Sequence, residues 1–191
     1  AAAAGASDGM KLAINIAAML LAFVALIAMI NAFIGWVGDW HMDGYMSLNM
    51  MLNEGLPAGS DPVRLNLGLI LGYVLAPIAW VIGIEWKDAV LAGGLIGQKV
   101  VLNEFIAYLQ LSQTPVGDGV GMISENSRLI LTYALCGFAN FASIAIQIGG
   151  IGSLAPERRG DLARFGLRAV LGGSIATLMT ATIAGVLIHL R

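Results

Sequence analysis

The amino-acid sequence predicts an all-α polytopic membrane protein with four transmembrane helices, one re-entrant helical hairpin and a short interfacial helix. The first observation is composition, because 58% of the 191 residues are hydrophobic and only 12% are charged. Soluble domains carry about 45–50% apolar and about 25% charged residues. The second is that several apolar stretches reach the roughly 20 residues that cross a bilayer about 30 Å thick. The third is the presence of 25 glycines, a residue commoner in membrane helices than in soluble ones.

Four of the apolar stretches are predicted transmembrane helices. The first covers Met10–Val37, the second covers Leu65–Ile84, the third covers Leu129–Ile151, and the fourth lies within residues 160–190. Because no soluble module separates them, we expect residues 1–191 to form a single membrane domain.

Residues 45–55 are predicted to form a short helix that lies in the membrane interface. Leu48 and Met51 share one helical face, whereas Asn49 and Asn53 point elsewhere. This amphipathic spacing is typical of interfacial helices.

The segment 88–111 is a fifth apolar block of a different character. It has three glycines near its middle, followed by the charged residues Lys99 and Glu104. A continuous lipid-facing helix rarely accepts two such charges, whereas two half-helices that fold back on each other keep their irregular backbone inside protein. We therefore predict a re-entrant hairpin that turns at the glycines. These are Gly93, Gly94 and Gly97.

The basic residues predict the orientation of the chain. Four arginines cluster between the third and fourth spans, and such clusters mark cytoplasmic loops. If the hairpin does not cross the membrane, alternation then places the C-terminus on the extracytoplasmic side. The arginines are Arg158, Arg159, Arg164 and Arg168.

Glu104 is the first candidate functional residue, because a carboxylate inside an apolar block is costly to bury and marks a functional site by default. Asn103 adds a second polar group beside it. Lys99 lies five residues earlier, about 500° around a helix, so the two charges do not share one face squarely. The alternative is a structural pair in which Lys99 merely neutralises Glu104.

The third span carries the other candidate residues. Asn140 and Ser143 are three positions apart and so share a helical face, and Gly137 permits the helix to break at mid-membrane depth. Secondary transporters place substrates at such breaks, because the freed peptide groups can bond to them. An amide, a hydroxyl and a carboxylate suit a neutral, hydroxyl-rich ligand such as a ribose. The alternative is that Asn140 and Ser143 only hold packed helices together.

Other classes of function have little support in the sequence. A formal net charge of −2 gives no argument for nucleic acid as a partner, and the one cysteine, Cys136, excludes an internal disulfide and a multi-cysteine metal site. The sequence contains no Ser-His-Asp or His-Glu-x-x-His arrangement, so we predict that the chain is not an enzyme and uses no cofactor or metal centre.

Three segments resemble the concentrative nucleoside transporters. The run Gly97-Gln-Lys-Val-Val-Leu-Asn-Glu-Phe-Ile-Ala-Tyr108 is similar to a hairpin of that family. The run Tyr133-Ala-Leu-Cys-Gly-Phe-Ala-Asn-Phe-Ala-Ser143, which continues to Ala155-Pro-Glu-Arg-Arg159, is similar to the broken helix and loop that follow the hairpin. Ala76-Pro-Ile-Ala-Trp-Val-Ile-Gly83 is similar to the end of the preceding scaffold helix. The resemblance covers essentially the whole chain and implies the C-terminal half of such a transporter.

The resemblance implies a homotrimer in the inner or plasma membrane, in which each subunit has a scaffold domain and a moving transport domain. The second span and the interfacial helix would belong to the scaffold or linker, and the other elements to the transport domain. In that family the hairpin glutamate and the Asn and Ser of the broken helix bind the ribose. These roles would fall to Glu104, Asn140 and Ser143, while Phe138 would line the pocket near the base.

The resulting interpretation is nucleoside symport coupled to Na⁺, or to H⁺ as in some members, with this chain supplying the ribose-binding side. The family's base-reading hairpin and the helix that helps to bind Na⁺ have no counterpart in these residues. We therefore expect the Na⁺ site to lie mostly outside this chain and residue 1 to be a point inside a longer protein. Two other readings stay open: a channel-like pore with the glycine-rich hairpin as filter, and a non-transporting helical membrane scaffold.

Overall fold

The chain folds as an all-α protein that is 79% helix. The computed structural model describes residues 2–41, 45–54, 62–119 and 121–190, and within these ranges it has no strand, only a bridge between Val116 and Ile123. In chain order the helices are α1 (Ala2–Asp39), α2 (Leu48–Asn53), α3 (Leu67–Val81), α4 (Ala89–Val101), α5 (Glu104–Gln113), α6 (Glu125–Leu135), α7 (Phe141–Leu154) and α8 (Arg159–His189). Single 3₁₀ turns, Trp86–Asp88 and Pro156–Arg158, lead into α4 and α8.

The helices differ in their ability to cross a membrane. Within the described ranges, one helix is long and apolar enough by length and composition, Pro156–Ile188, which combines α8 with the turn before it. Two shorter apolar helical segments are Val24–Asp39, which is the second part of α1, and Leu67–Val81, which is α3. The third span, Leu129–Ile151, is predicted to break at Gly137, and the chain leaves the helical conformation between Leu135 and Phe141, which divides this stretch into α6 and α7.

The backbones of α3 and α4 approach each other closely, because glycines face each other across the contact. A Cβ atom on Gly93 would lie 2.5 Å from the carbonyl oxygen of Gly72, and one on Gly97 would lie 2.6 Å from the Cβ of Leu71. Small residues of this kind let membrane helices pack tightly. The prediction that the hairpin turns at these glycines is wrong: α4 is helical through Gly93, Gly94 and Gly97.

The apolar core lies where α3, α4, α5, α6 and α8 meet. Helix α6 contributes Ile130, Leu131 and Leu135 to the core, because its buried residues recur on a single helical face. The fully buried members include Leu95, Ile130, Leu131 and Leu135. The core therefore holds the two helices of the predicted hairpin against the broken third span.

Asparagine side chains join α1 and α2 to the start of α3. Asn49 is 6% exposed, its Nδ2 donates to Oδ1 of Asp39 at 2.7 Å, and its Oδ1 accepts from the N–H of Leu65 at 2.8 Å. The Oδ1 of Asn31 accepts from the N–H of Leu67, the first residue of α3, at 2.9 Å. The bonds from Leu65 and Leu67 satisfy backbone N–H groups that lack a helical partner, and the bond to Asp39 joins α2 to the end of α1.

Candidate functional site

The helices α4 and α5 fold back on each other at Asn103. This residue is extended (φ −167°, ψ 170°), and its Oδ1 caps α5 by accepting from the N–H of Ile106 at 3.0 Å. At the other ends of the two helices, Lys87 before α4 forms an ion pair with Asp118 after α5. The cap makes Glu104 the first residue of α5, so its carboxylate stands at a helix N-terminus.

Asn140 and Ser143 form a reciprocal cap at the start of α7. The N–H of Ser143 donates to Oδ1 of Asn140 at 2.7 Å, and the N–H of Asn140 donates to Oγ of Ser143 at 3.3 Å. The hydroxyl of Ser143 also donates to the carbonyl oxygen of Asn140 at 2.6 Å. Both residues are buried, and the arrangement is a variant of the capping box. The same-face spacing seen in the sequence is thus the spacing of a helix start.

A hydrogen bond connects the two helix starts. Nδ2 of Asn140 donates to Oε2 of Glu104 at 3.2 Å, across 36 positions of sequence. The positive ends of α5 and α7 therefore converge on one partly exposed carboxylate, and helix N-termini favour negative charge. The structure brings Glu104, Asn140 and Ser143 together.

Lys99 lies nearby without forming a direct pair. It is 1% exposed and sits in the last turn of α4, where the helix dipole favours a cation. Its charge interacts with that of Glu104, yet within the described residues no ion pair of 4.0 Å or less joins the two. If Lys99 only neutralises Glu104, as the sequence alternative has it, it does so without a direct ion pair.

A cavity of about 860 Å³ opens between the helix break and the first half of α8. Phe138 is 53% exposed and lines this cavity together with Ser143, while Phe165 faces it from α8. Its volume is within the range of about 300–1,000 Å³ that is usual for small-ligand pockets. Glu104 and Asn140 are not part of the cavity wall. They form a polar pair that Ser143 joins to the cavity through its bonds with Asn140.

Two features of the site are missing from the predictions made from the sequence. Gln147 also lines the cavity, one turn after Ser143, and an amide in so apolar a run was an available signal. Gly137 was interpreted as a helix breaker, but a Cβ atom there would lie 2.2 Å from Cγ2 of Thr177. A glycine is therefore also required at this position because α8 packs directly against the break and leaves no room for a Cβ atom.

The fold and the site together define an apolar, all-α protein whose polar groups converge at the ends of interrupted helices. Comparison with known families gives a more specific assignment. The chain belongs to the family described as Na⁺ dependent nucleoside transporter C-terminus, whose profile matches residues 1–185. This membership makes it a membrane protein of the plasma membrane.

Individual relatives agree with the family. The chain is 47% identical over 188 residues to an uncharacterized transporter, YutK, of Bacillus subtilis, covering 98% of this chain and 41% of that protein. It is 40% identical over 197 residues to sodium/nucleoside cotransporter 1 of Mus musculus, covering 98% of this chain and 28% of that protein. The structure of CNTnw in an inward-facing substrate-bound state matches with a TM-score of 0.77 and 45% identity, over 100% of this chain and 41% of that one. The chain thus spans less than half the length of these relatives.

Proposed function

We propose that this chain forms the ribose-binding side of a nucleoside symporter that is coupled to Na⁺ and works by alternating access. The observation that carries the proposal is the Glu104 carboxylate, held by Asn140 where two helix N-termini converge. The names of the relatives support a nucleoside as cargo and Na⁺ as coupling ion. The rest of the intact protein would supply the base-reading groups and most of the cation site.

The hydrogen bonds already present leave particular donor and acceptor positions of the site free for a ligand. Within the described structure Oε1 of Glu104 accepts no hydrogen bond, and the amide of Asn140 has a second N–H. The hydroxyl proton of Ser143 is used by Asn140, so this side chain can offer only a lone pair. Acceptors therefore outnumber donors at the site. A ribose, whose 2′- and 3′-hydroxyl groups both donate, matches this inventory.

Phe138 has the complementary role in this proposal. Its exposed ring forms an apolar wall of the cavity, and aromatic faces stack well on flat, conjugated rings such as nucleobases. Ser143 lies where the polar pair and the cavity meet, so a nucleoside can place its ribose towards Glu104 and its base towards Phe138.

The lengths of the helices support the proposed membrane topology. The helices α4 and α5 have 13 and 10 residues and so extend about 20 Å and about 15 Å. Each is too short for a hydrocarbon core of about 30 Å, as expected of a re-entrant hairpin. The helices α6 and α7 have 11 and 14 residues and cross only in combination. We assign the four spans to α1, α3, the broken pair α6–α7, and α8, in a homotrimer with its C-terminus outside.

Calorimetry on the intact transporter tests the role of Glu104. A lost hydrogen bond to a charged group costs about 1.5–3 kcal/mol, or about 10- to 150-fold in affinity. Glu104→Gln should therefore weaken uridine binding at least about tenfold while hardly changing the binding of 2′,3′-dideoxyuridine, which lacks the hydroxyls. Glu125→Gln is the matched control, because Glu125 is also the first residue of a helix but is exposed. An unchanged dissociation constant for uridine in Glu104→Gln removes this residue from the binding site.

The reciprocal cap favours a second reading, in which Asn140 and Ser143 only start α7 within a helical scaffold. Ser143→Ala distinguishes the two readings. A scaffold role predicts a lower melting temperature with unchanged uridine affinity, whereas the proposal predicts that both change. Saturable uridine uptake that follows a Na⁺ gradient in proteoliposomes supports a carrier, and an ohmic current in a bilayer supports a pore.

A further inference from the structure

Helix α8 has one face that packs against the rest of the chain. Val170 is 6% exposed and Ala181 is 0% exposed on this face. A Cβ atom on Gly166 would lie 2.5 Å from Cγ2 of Ile144, and one on Gly173 would lie 3.1 Å from the Cβ of Ala139. The contacts recur at helical spacing, so one side of α8 packs against α6, α7 and the helix break.

The opposite face of α8 begins with two arginines and continues with apolar side chains. Arg164, Arg168, Leu171, Ile175 and Met179 follow each other at intervals of four or three residues and so form one stripe. The three apolar members are 65%, 57% and 61% exposed. An apolar stripe of this length indicates contact with acyl chains, with the arginines at one end of it.

The two arginines lie beside one aromatic ring. Each guanidinium carbon lies 6.0 Å from the centre of the Phe165 ring, a cation–π distance. The acidic group of the same turn, Asp161, is already bonded by Nε of Arg158 at 2.6 Å. In the part of the chain that the structure describes, neither Arg164 nor Arg168 has a carboxylate within ion-pair distance. Two guanidinium groups one turn apart beside a ring are suited to bind a single phosphate.

The position along the helix agrees with a lipid headgroup. The stripe continues at the same spacing through Ile183 to Val186, which are both exposed, and from Arg168 to Val186 α8 rises about 27 Å at 1.5 Å per residue. This length is close to the hydrocarbon thickness of about 30 Å. When the apolar stripe spans the acyl region, the arginines therefore lie at the level of the phosphates of one leaflet.

We propose that Arg164 and Arg168 bind the phosphate of an anionic phospholipid, whose acyl chains lie along Leu171, Ile175 and Met179. A protein partner on this face would need carboxylates at one end and a long apolar surface behind them, whereas one phospholipid supplies both. The apolar part of the site is on the face of α8 turned away from the helix break, and the proposal requires α8 to cross the membrane. It does not depend on a nucleoside being the cargo.

The intact transporter in neutral detergent tests the site through its melting temperature. Added dioleoyl phosphatidylglycerol should raise the melting temperature at lower concentration than dioleoyl phosphatidylcholine does. Each arginine near anionic lipid contributes about fivefold in affinity, so Arg164→Gln together with Arg168→Gln should raise the half-maximal concentration of phosphatidylglycerol about thirtyfold. Arg164→Lys with Arg168→Lys keeps the charge but not the two-pronged geometry, and should lie between the two.

Two controls separate this site from general charge effects. Lys11→Gln with Arg64→Gln removes the same net charge from exposed residues elsewhere and should leave the phosphatidylglycerol response unchanged. Glycerophosphoglycerol, which has the headgroup without acyl chains, and inorganic phosphate should not reproduce the response. The proposal is overturned if the arginine variant responds like the wild type, if the control variant loses the response equally, or if inorganic phosphate acts as strongly as the lipid.

Discussion

Asn140→Asp changes the amide nitrogen that donates to Glu104 into a carboxylate oxygen and leaves the shape of the side chain the same. The cap of α7 survives, because aspartate is as good an N-cap as asparagine. The new oxygen, however, faces Oε2 of Glu104 from the position of a donor that was 3.2 Å away. Two unit charges at that distance repel by about 5 kcal/mol at an effective dielectric constant of about 20. This exceeds the roughly 1.5–3 kcal/mol of the lost hydrogen bond, so Glu104 must turn away from α7.

Isothermal calorimetry with uridine on the intact transporter measures the consequence. We expect Asn140→Asp to weaken uridine binding at least about tenfold and to lower the melting temperature. Adding Glu104→Gln to the same protein removes one of the two charges and restores a donor to the contact. The double variant should therefore melt above Asn140→Asp and bind uridine no worse than Glu104→Gln alone.

Asn66→Asp is the matched control. Asn66 also caps a helix, since its Oδ1 accepts from the N–H of Leu69 at 2.8 Å, but its amide nitrogen donates to the carbonyl oxygen of Arg64 and not to a carboxylate. Its substitution should leave uridine affinity within about twofold of the wild type. Wild-type affinity in Asn140→Asp, or a double variant whose losses simply add, would refute the contact between Asn140 and Glu104 as the basis of the site.

Two further predictions concern packing and pH. Gly93→Ala should lower the melting temperature, because its Cβ would lie 2.5 Å from a carbonyl oxygen of α3 and overpacking costs about 1–3 kcal/mol. In Gly172→Ala the new Cβ meets nothing within 4 Å, so this variant should have a higher melting temperature than the wild type. A rise in both variants contradicts the α3–α4 contact. The hydrogen bond and charge of Lys87 hold the pKa of Asp118 below its ordinary value of 3.8, and the hydrogen bond to Asp118 raises the pKa of Lys87. The pair therefore stabilises the fold above pH 3.8 and loses this effect as the pH falls through the lowered pKa, or rises through the raised one. The difference in melting temperature between wild type and Asp118→Asn should be present at neutral pH and should become smaller in acid and in high salt. A difference that is unchanged at pH 2 is incompatible with the pair.

The class of fold and the family could be predicted from the sequence, because both depend on composition and on local runs. An apolar, glycine-rich chain with few charges has few solutions other than membrane helices. Glu104 could be selected as a candidate for the same reason, since one carboxylate in an apolar block is visible without any knowledge of its partners.

The turn of the hairpin was predicted in the wrong place because glycine has two roles. Gly93 and Gly97 could either end a helix or allow a neighbouring helix to approach, and only the presence of α3 decides for the second role. The true start of α5 did have a local signal. Asn103 followed by Glu104 is a helix-start pattern, and it predicts the cap that the structure contains.

The long-range bonds could not be predicted from local pattern at all. Asn140 and Glu104 are 36 positions apart, as are Asn31 and Leu67. Their contacts depend on how whole helices are arranged. The predicted interfacial helix at 45–55 illustrates the same limit, since α2 occupies its middle, but the amphipathic pattern did not indicate that Asn49 would be buried against α1.

The asparagine bonds at the end of α1 have a consequence for movement. A helix of six residues such as α2 does not persist unaided in water, so it depends on the bonds that Asn49 makes to α1 and to Leu65. Separating α1 from α3 at this end would break those bonds and the bond of Asn31 to Leu67, at a cost of about 2.5–6 kcal/mol. The two helix ends are thus tethered, and a rotation that begins in either of them is transmitted to the other.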